Sequence, residues 1–193
     1  REQSPLMEQV KGLNDVTPHV FELKEKDGYL ATNSLVFDAT VIARTYGELD
    51  RQGVSIDYRV DQITFGELSL ENWIRSSASF VSEAAKRGSL IIVFSPNLRP
   101  IAEDLESKLS EAALSFCQLA DFRSFAHGRH LWLTERSQDS SLLVLTEPAV
   151  EKLWTDMSPQ IPSEVPTFCM PLSGAQPKDL ISGLIAGMHL ISE

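Results

Sequence analysis

The sequence predicts a doubly wound α/β sandwich, three layers (α, β, α) built around a parallel sheet. Two patterns carry this expectation. Apolar runs of about five residues alternate with amphipathic stretches of about 15, the rhythm of repeated strand–helix units. One run, SLIIVFS (Ser89 to Ser95), is apolar almost without interruption and β-branched at its centre, as a strand covered on both faces requires. The chain has 193 residues, 42% of them apolar, enough for a core of ordinary size.

The elements follow in order. HVFEL (His19 to Leu23) reads as a short β-like run before a turn at Asp27–Gly28. Apolar residues Leu35, Val36, Ala39, Val41, Ile42, Ala43 and Tyr46 recur at helical spacing, which predicts a helix over Asn33–Leu49 with Thr32 or Asn33 as its N-cap. Residues 50–67 break the period and read as a surface connector. Ser69 or Glu71 opens an amphipathic helix to about Arg87, with Trp73, Ile74, Phe80, Val81 and Ala84 inward and Gly88 as its stop. After Ser89–Ser95 come the loop SPNLRP, a helix from Pro100 to Phe116, and a strand at FCQLA. A short helix holding FAHGRHLWL, the strand SLLVLTEP and a helix including Val150–Trp154 follow. The strand TFCMP and a closing helix over Pro177–Ile191 complete the series. Gly183 and Gly187, four apart in that last helix, suit close packing at an internal or dimer interface.

Composition excludes several classes. Twenty-seven acidic against 17 basic residues give a formal charge of −10, which repels phosphate backbones and argues against nucleic-acid binding. No apolar run approaches the roughly 20 residues of a membrane span, and residues 1–20 lack a signal pattern, so a cytoplasmic protein is expected. Cys117 and Cys169 lie in strand-like runs and read as reduced, buried thiols. Pooling them with His127 and His130 as a zinc site lacks the short C-x-x-C spacing, so no metal is expected. The loop after the buried strand is SPNLRP rather than G-x-G-x-x-G, which disfavours a nicotinamide enzyme; no cofactor is expected.

In doubly wound sheets ligands sit beyond the carboxyl ends of the strands, so the loop after Phe94 is the first place to look for chemistry. The helix after it puts Ile101, Leu105, Leu109 and Ala112 on the buried stripe and Glu103, Glu106, Ser107 and Ser110 on the solvated side. Asp104, Lys108 and Glu111 fall within roughly 60° of one another along a flank of that stripe. The ordinary reading is two ion pairs, Asp104–Lys108 and Lys108–Glu111. The sharper one adds His127, sixteen residues on, as an acid/base group near a carboxylate and an amine.

The stretch SPNLRPIAEDLESKLSEAALSFCQLADFRSFAHG resembles the second sugar-isomerase (SIS) module of glucosamine-6-phosphate synthase. That family reads A-x-E-G-x-x-K-L-x-E on a helix, then a strand, then E-x-x-H-G; Ala102, Asp104, Lys108, Leu109, Glu111, His127 and Gly128 fall into register without a gap. The earlier DGYLATNSLVFDATVIA is similar to the G-V-A-S-T-K-x-F stretch that closes the family's first module. The resemblance divides the chain into the end of a first module with its connector (residues 1–66) and a second SIS module (67–193).

The resemblance implies aldose–ketose isomerisation, or aminosugar-phosphate isomerase or deaminase chemistry, on a phosphorylated sugar. Glu111 would move the proton between adjacent carbons, Lys108 would stabilise the enediol oxygen, and His127 would open the ring, in the family often from the neighbouring subunit. Ser95, Asn97, Arg99 and Asp104 would contact the sugar, Arg129 a phosphate or carboxylate, and Thr32 and Ser34 an anion at a helix start. The departures are specific: Asp104 replaces a glutamate, Ser124 stands three residues before the His–Gly pair, and the Ser/Thr/Gly-rich phosphate loops of a first module are missing. Two expectations follow. Either the chain is part of a longer protein and works as a homodimer or beside a chain carrying the first SIS half, or it is a non-catalytic SIS module acting as a sugar-phosphate sensor or assembly subunit.

Overall fold

The computed structural model describes residues 5–21, 27–28, 30–49, 59–174 and 177–192. In chain order come α1 (Pro5–Val10), α2 (Asn33–Leu49), a hairpin of β1 (Thr64–Phe65) and β2 (Leu68–Ser69), α3 (Leu70–Ala84), β3 (Ser89–Phe94), α4 (Arg99–Glu111) and β4 (Phe116–Asp121). The chain continues through a single turn α5 (Phe122–Ser124), a π-turn (Phe125–Arg129), α6 (Leu131–Glu135), β5 (Ser140–Thr146), α7 (Pro148–Met157), β6 (Thr167–Pro171) and α8 (Lys178–Ser192). The predicted alternation therefore holds from residue 69 onward.

Strands β3 to β6 form one parallel sheet in the order β4-β3-β5-β6. Ser89 aligns with Phe116 on one side and Ser140 on the other, and Phe94 with Asp121 and Leu145. Because side chains alternate along a strand, the two faces build separate cores. Leu90, Ile92, Phe94, Leu143, Leu145 and Met170 pack under α3, α4 and α8. Ile91, Val93, Ala120, Leu142 and Val144 pack under the segment from Phe122 to Leu133, with Trp154 and Met157 of α7 against them. Helices thus cover both faces of the sheet.

Local chemistry explains most boundaries. The Ser69 hydroxyl accepts from the Asn72 N–H and caps α3, the predicted start, while the helix ends at Ala84 rather than Arg87. Gly183 and Gly187 of α8 lie against Ile101 and Leu105, so the glycine stripe serves an internal α4–α8 contact. Trp73 is buried and donates its indole N–H to the Cys169 carbonyl at 3.2 Å.

Three expectations need correction. Residues 59–67, read as part of a surface connector, belong to the packed fold, and Ile63 and Phe65 are each only 1% exposed. Phe65 stacks against Trp73 with ring centroids 4.6 Å apart, and Gly66 turns the hairpin at φ 59°. Residues 50–58 lie outside the described residues. The helix predicted to reach Phe116 stops at Glu111, and Phe116 instead opens edge strand β4, 69% exposed. His19–Phe21 form no strand, and the remainder of that run lies outside the described residues.

The stop of α4 is a two-bond Schellman motif: Leu114 N–H donates to Leu109 O (2.9 Å) and Ala113 N–H to Ser110 O (3.1 Å). Its left-handed position, φ 53°, is held by Ala113 rather than glycine. Ala113→Gly is therefore expected to stabilise the fold by roughly 0.5–1 kcal/mol, the relieved left-handed strain less glycine's added chain entropy, read as a higher urea midpoint at unchanged slope. At the same, amino-terminal edge of the sheet, Arg87 donates to the carbonyls of Ser137, Ser140 (3.2 Å) and Glu164 (3.0 Å). Trp132 donates to the Ser140 hydroxyl beside it at 3.1 Å.

Candidate functional site

The chain leaves β3 to one side to form β4, then crosses back to form β5 on the other side. Loops that diverge in this way open a crevice beyond the carboxyl ends of the strands. Two groups of polar side chains occupy that edge.

The first surrounds a cavity of about 300 Å³ between the ends of β3 and β4, lined by Arg99, Glu103, Asp121, Ser124 and Arg129 around Pro96. Asp121 ends β4 and caps the next turn, accepting from the Ser124 N–H and hydroxyl, both at 2.8 Å. The Ser124 N–H, then its hydroxyl, hold the Asp121 carboxyl below the usual carboxylate range. A π-turn follows, closed by the His130 N–H on Phe125 O at 3.1 Å, with buried Phe125 as its anchor. Such turns widen a helix by one residue and recur at functional sites. Arg129, at the end of the turn, reaches back to the Leu119 carbonyl at 2.8 Å. Arg99, at the first position of α4, donates from Nε to Glu103 at 2.7 Å. Two guanidiniums able to grip an oxyanion thus face carboxylates able to accept from hydroxyls.

The second group joins the loops after β3 and β5. Glu147 follows β5 and is 5% exposed; Ser95 donates its hydroxyl to Oε1, and Asn97 its amide to Oε1 at 3.1 Å and Oε2 at 3.4 Å. Gly174, at φ 81°, packs on Pro148 beside this carboxylate. Next to it Ser173 donates to Asp179 Oδ1 at 2.9 Å, while Asp179 Oδ2 is buried without a hydrogen bond. Sequence reasoning missed Glu147. The signal was an acid immediately beyond an apolar strand at the carboxyl edge, where a buried carboxylate needs partners from the neighbouring loop.

The remaining predicted residues divide clearly. Lys108 pairs with Asp104, the first of the two expected ion pairs, and its side chain is 6% exposed. The second pair does not form among the described residues: Glu111 is exposed and accepts from Ser107 at 2.8 Å. Glu111 ends α4, so it stands at the amino edge of the sheet, about 18 Å along the helix from Arg99. His127 is exposed on the π-turn at the opposite edge. Within one chain Glu111 and His127 are therefore not brought together.

Thr32 and Ser34 do face an anion, but it is the chain's own Asp27. That carboxylate accepts from the N–H groups of Thr32, Asn33 and Ser34 and from the hydroxyls of Thr32 and Ser34. The Ser34 hydroxyl and N–H, then the Thr32 groups, hold the Asp27 carboxyl far below the usual range. A depressed folded value means the anchor is fully present above the unfolded value of about 3.9 and is lost only as pH falls through the lower folded value. Asp27→Asn is expected to speed amide exchange at residues 32–34 at pH 6 to that of a frayed helix end; unchanged rates refute the anchor.

Burial pushes the Cys117 thiol up to about 12 and raises Cys169 as well, so both stay protonated near neutral pH. Among the described residues no three His, Cys, Asp or Glu side chains gather to hold a metal ion, and no helix is long and apolar enough to cross a membrane. No protein-family model and no curated protein matches the chain.

Proposed function

We propose that the chain is a SIS-type module that binds a phosphorylated sugar at the carboxyl edge of β3 and β4, as a sensor or assembly subunit rather than an isomerase. The supporting observation is the convergence of Arg99 and Arg129 with Asp121 and Ser124 on one cavity of about 300 Å³. A phosphate takes the guanidinium donors, and sugar hydroxyls take the carboxylates. The volume falls at the small end of ligand pockets, the size of a monosaccharide rather than a polymer.

The separation of the expected catalytic trio favours binding over turnover. Lys108 is committed to Asp104, and Glu111 and His127 lie at opposite edges of the sheet. The second reading, an aldose–ketose or aminosugar-phosphate isomerase or deaminase, draws on the exposure of both Glu111 and His127, which leaves each open to a partner chain. A homodimer, or a companion chain carrying a first SIS half, is the assembly that reading needs.

Calorimetry with glucose 6-phosphate, fructose 6-phosphate and glucosamine 6-phosphate tests both. Wild type is expected to bind at least one of them. Arg99→Ala and Arg129→Ala should each weaken it about 10- to 100-fold, the loss of one charge-assisted hydrogen bond of roughly 1.5–3 kcal/mol. Glu111→Gln should leave affinity unchanged. Interconversion of the sugars that depends on Glu111 replaces this proposal with the isomerase, and no binding by any of the three discards both.

A further inference from the structure

A second cavity, of about 320 Å³, lies on the other half of the molecule, between the C-terminal ends of α3, α4 and α8 and the sheet. Its floor is Leu90, Leu105 and Leu143, each 8% exposed or less, and its walls include Phe80 and Ala84. Of the side chains that line it only Ser115 is polar. Leu114 stands at its mouth, 53% exposed, held there by the left-handed Ala113.

We infer that this cavity is a binding site for a single hydrocarbon chain, the tail of a small amphiphile such as a medium-chain fatty acid. Three observations select that class. The lining side chains offer a water almost no hydrogen bonds, so water there is poorly held and an apolar group displaces it favourably. A helix about 10 Å across does not enter a space this small. Ser115 stands beside Leu114 at the mouth, where the polar head of an amphiphile would meet solvent. The tail lies on the leucine floor, and the polar head leaves past Ser115 and Leu114 into solvent. The site stands apart from the Arg99–Arg129 cavity and does not depend on the sugar-phosphate reading.

The full chain is titrated with N-phenyl-1-naphthylamine, a probe that fluoresces in apolar surroundings, and the bound probe is then competed with dodecanoate. Saturable one-to-one binding, displaced by dodecanoate, is expected. Ala84→Phe and, separately, Leu109→Phe fill the cavity from two helices and should each weaken binding at least 10-fold while keeping a cooperative melt; a variant that loses that melt is set aside and the other is read. Glucose 6-phosphate affinity should not change in either variant, which keeps the two proposals distinguishable. Absence of saturable binding to wild type overturns the inference, as does binding that survives in a folded filled variant. Concentration-dependent dimers by sedimentation, with probe binding lost as they form, overturn it too and assign the face to a second copy.

Discussion

Gly183→Ala is expected to destabilise the fold, although alanine is the better helix former. A Cβ at Gly183 would lie 2.8 Å from Ile101 Cγ1 and 3.2 Å from its Cγ2, and closer still to Cδ1. The clash reaches past the flexible Cδ1 to both γ carbons at the branch, so Ile101 must leave its present rotamer or α4 and α8 must separate. Overpacking of this kind costs roughly 1–3 kcal/mol, against a propensity gain of about 1 kcal/mol. The net expectation is a loss of up to about 2 kcal/mol, read from urea unfolding. Gly187→Ala is the contrast: the nearest atoms to its Cβ would be the end of the Leu105 side chain, the first at 3.1 Å, and that flexible end can yield. That variant should be close to neutral, and Ile101→Val should recover part of the Gly183→Ala loss. Equal effects at the two glycines contradict the packing described for these helices.

Glu147→Ala carries the other large effect. It strips the shared acceptor from the buried Ser95 hydroxyl, which is left unpaired, and from the Asn97 amide, which is exposed and can turn to water. Orphaning one buried donor costs about 1–3 kcal/mol, so a loss of roughly 1–3 kcal/mol is expected. Adding Ser95→Ala should recover part of it, because removing both partners removes the unpaired group, and a double-mutant cycle reads the coupling. Strict additivity would mean that the two loops are not joined through this carboxylate.

Legibility in the sequence followed how local each cause was. The Ser69 cap, the Trp73–Phe80 stripe and the run Ser89–Phe94 announce themselves within a few residues, and α3 and β3 formed where local pattern put them. The hairpin at Thr64–Ser69 did not, because two-residue strands carry no period; Phe65 is buried by Trp73, which only the tertiary fold supplies. The end of α4 was misread by five residues because its left-handed stop is alanine, without the glycine that normally marks it. At the carboxyl edge, position after strands and the HGRH motif point to Ser95, Asn97, Arg99 and Arg129; Arg99 and Arg129 line the cavity, whereas Ser95 and Asn97 turn to Glu147. Glu147 was invisible because its partners lie some 50 residues upstream, across the sheet. Glu103 was placed on the solvated side of its helix. It is exposed there, yet its carboxylate also holds Arg99 at the cavity.

The guanidinium of Arg87 has a consequence for motion. By gripping carbonyls from the turn before β5 and the segment before β6, it rivets three chain segments together at one rim of the molecule. The opposite border is fastened too, but only between the loops after β3 and β5, at the Glu147 carboxylate. Slow opening should therefore concentrate between the ends of β3 and β4, in the cavity lined by Arg99 and Arg129, where neither fastening reaches, leaving the riveted border as the fulcrum.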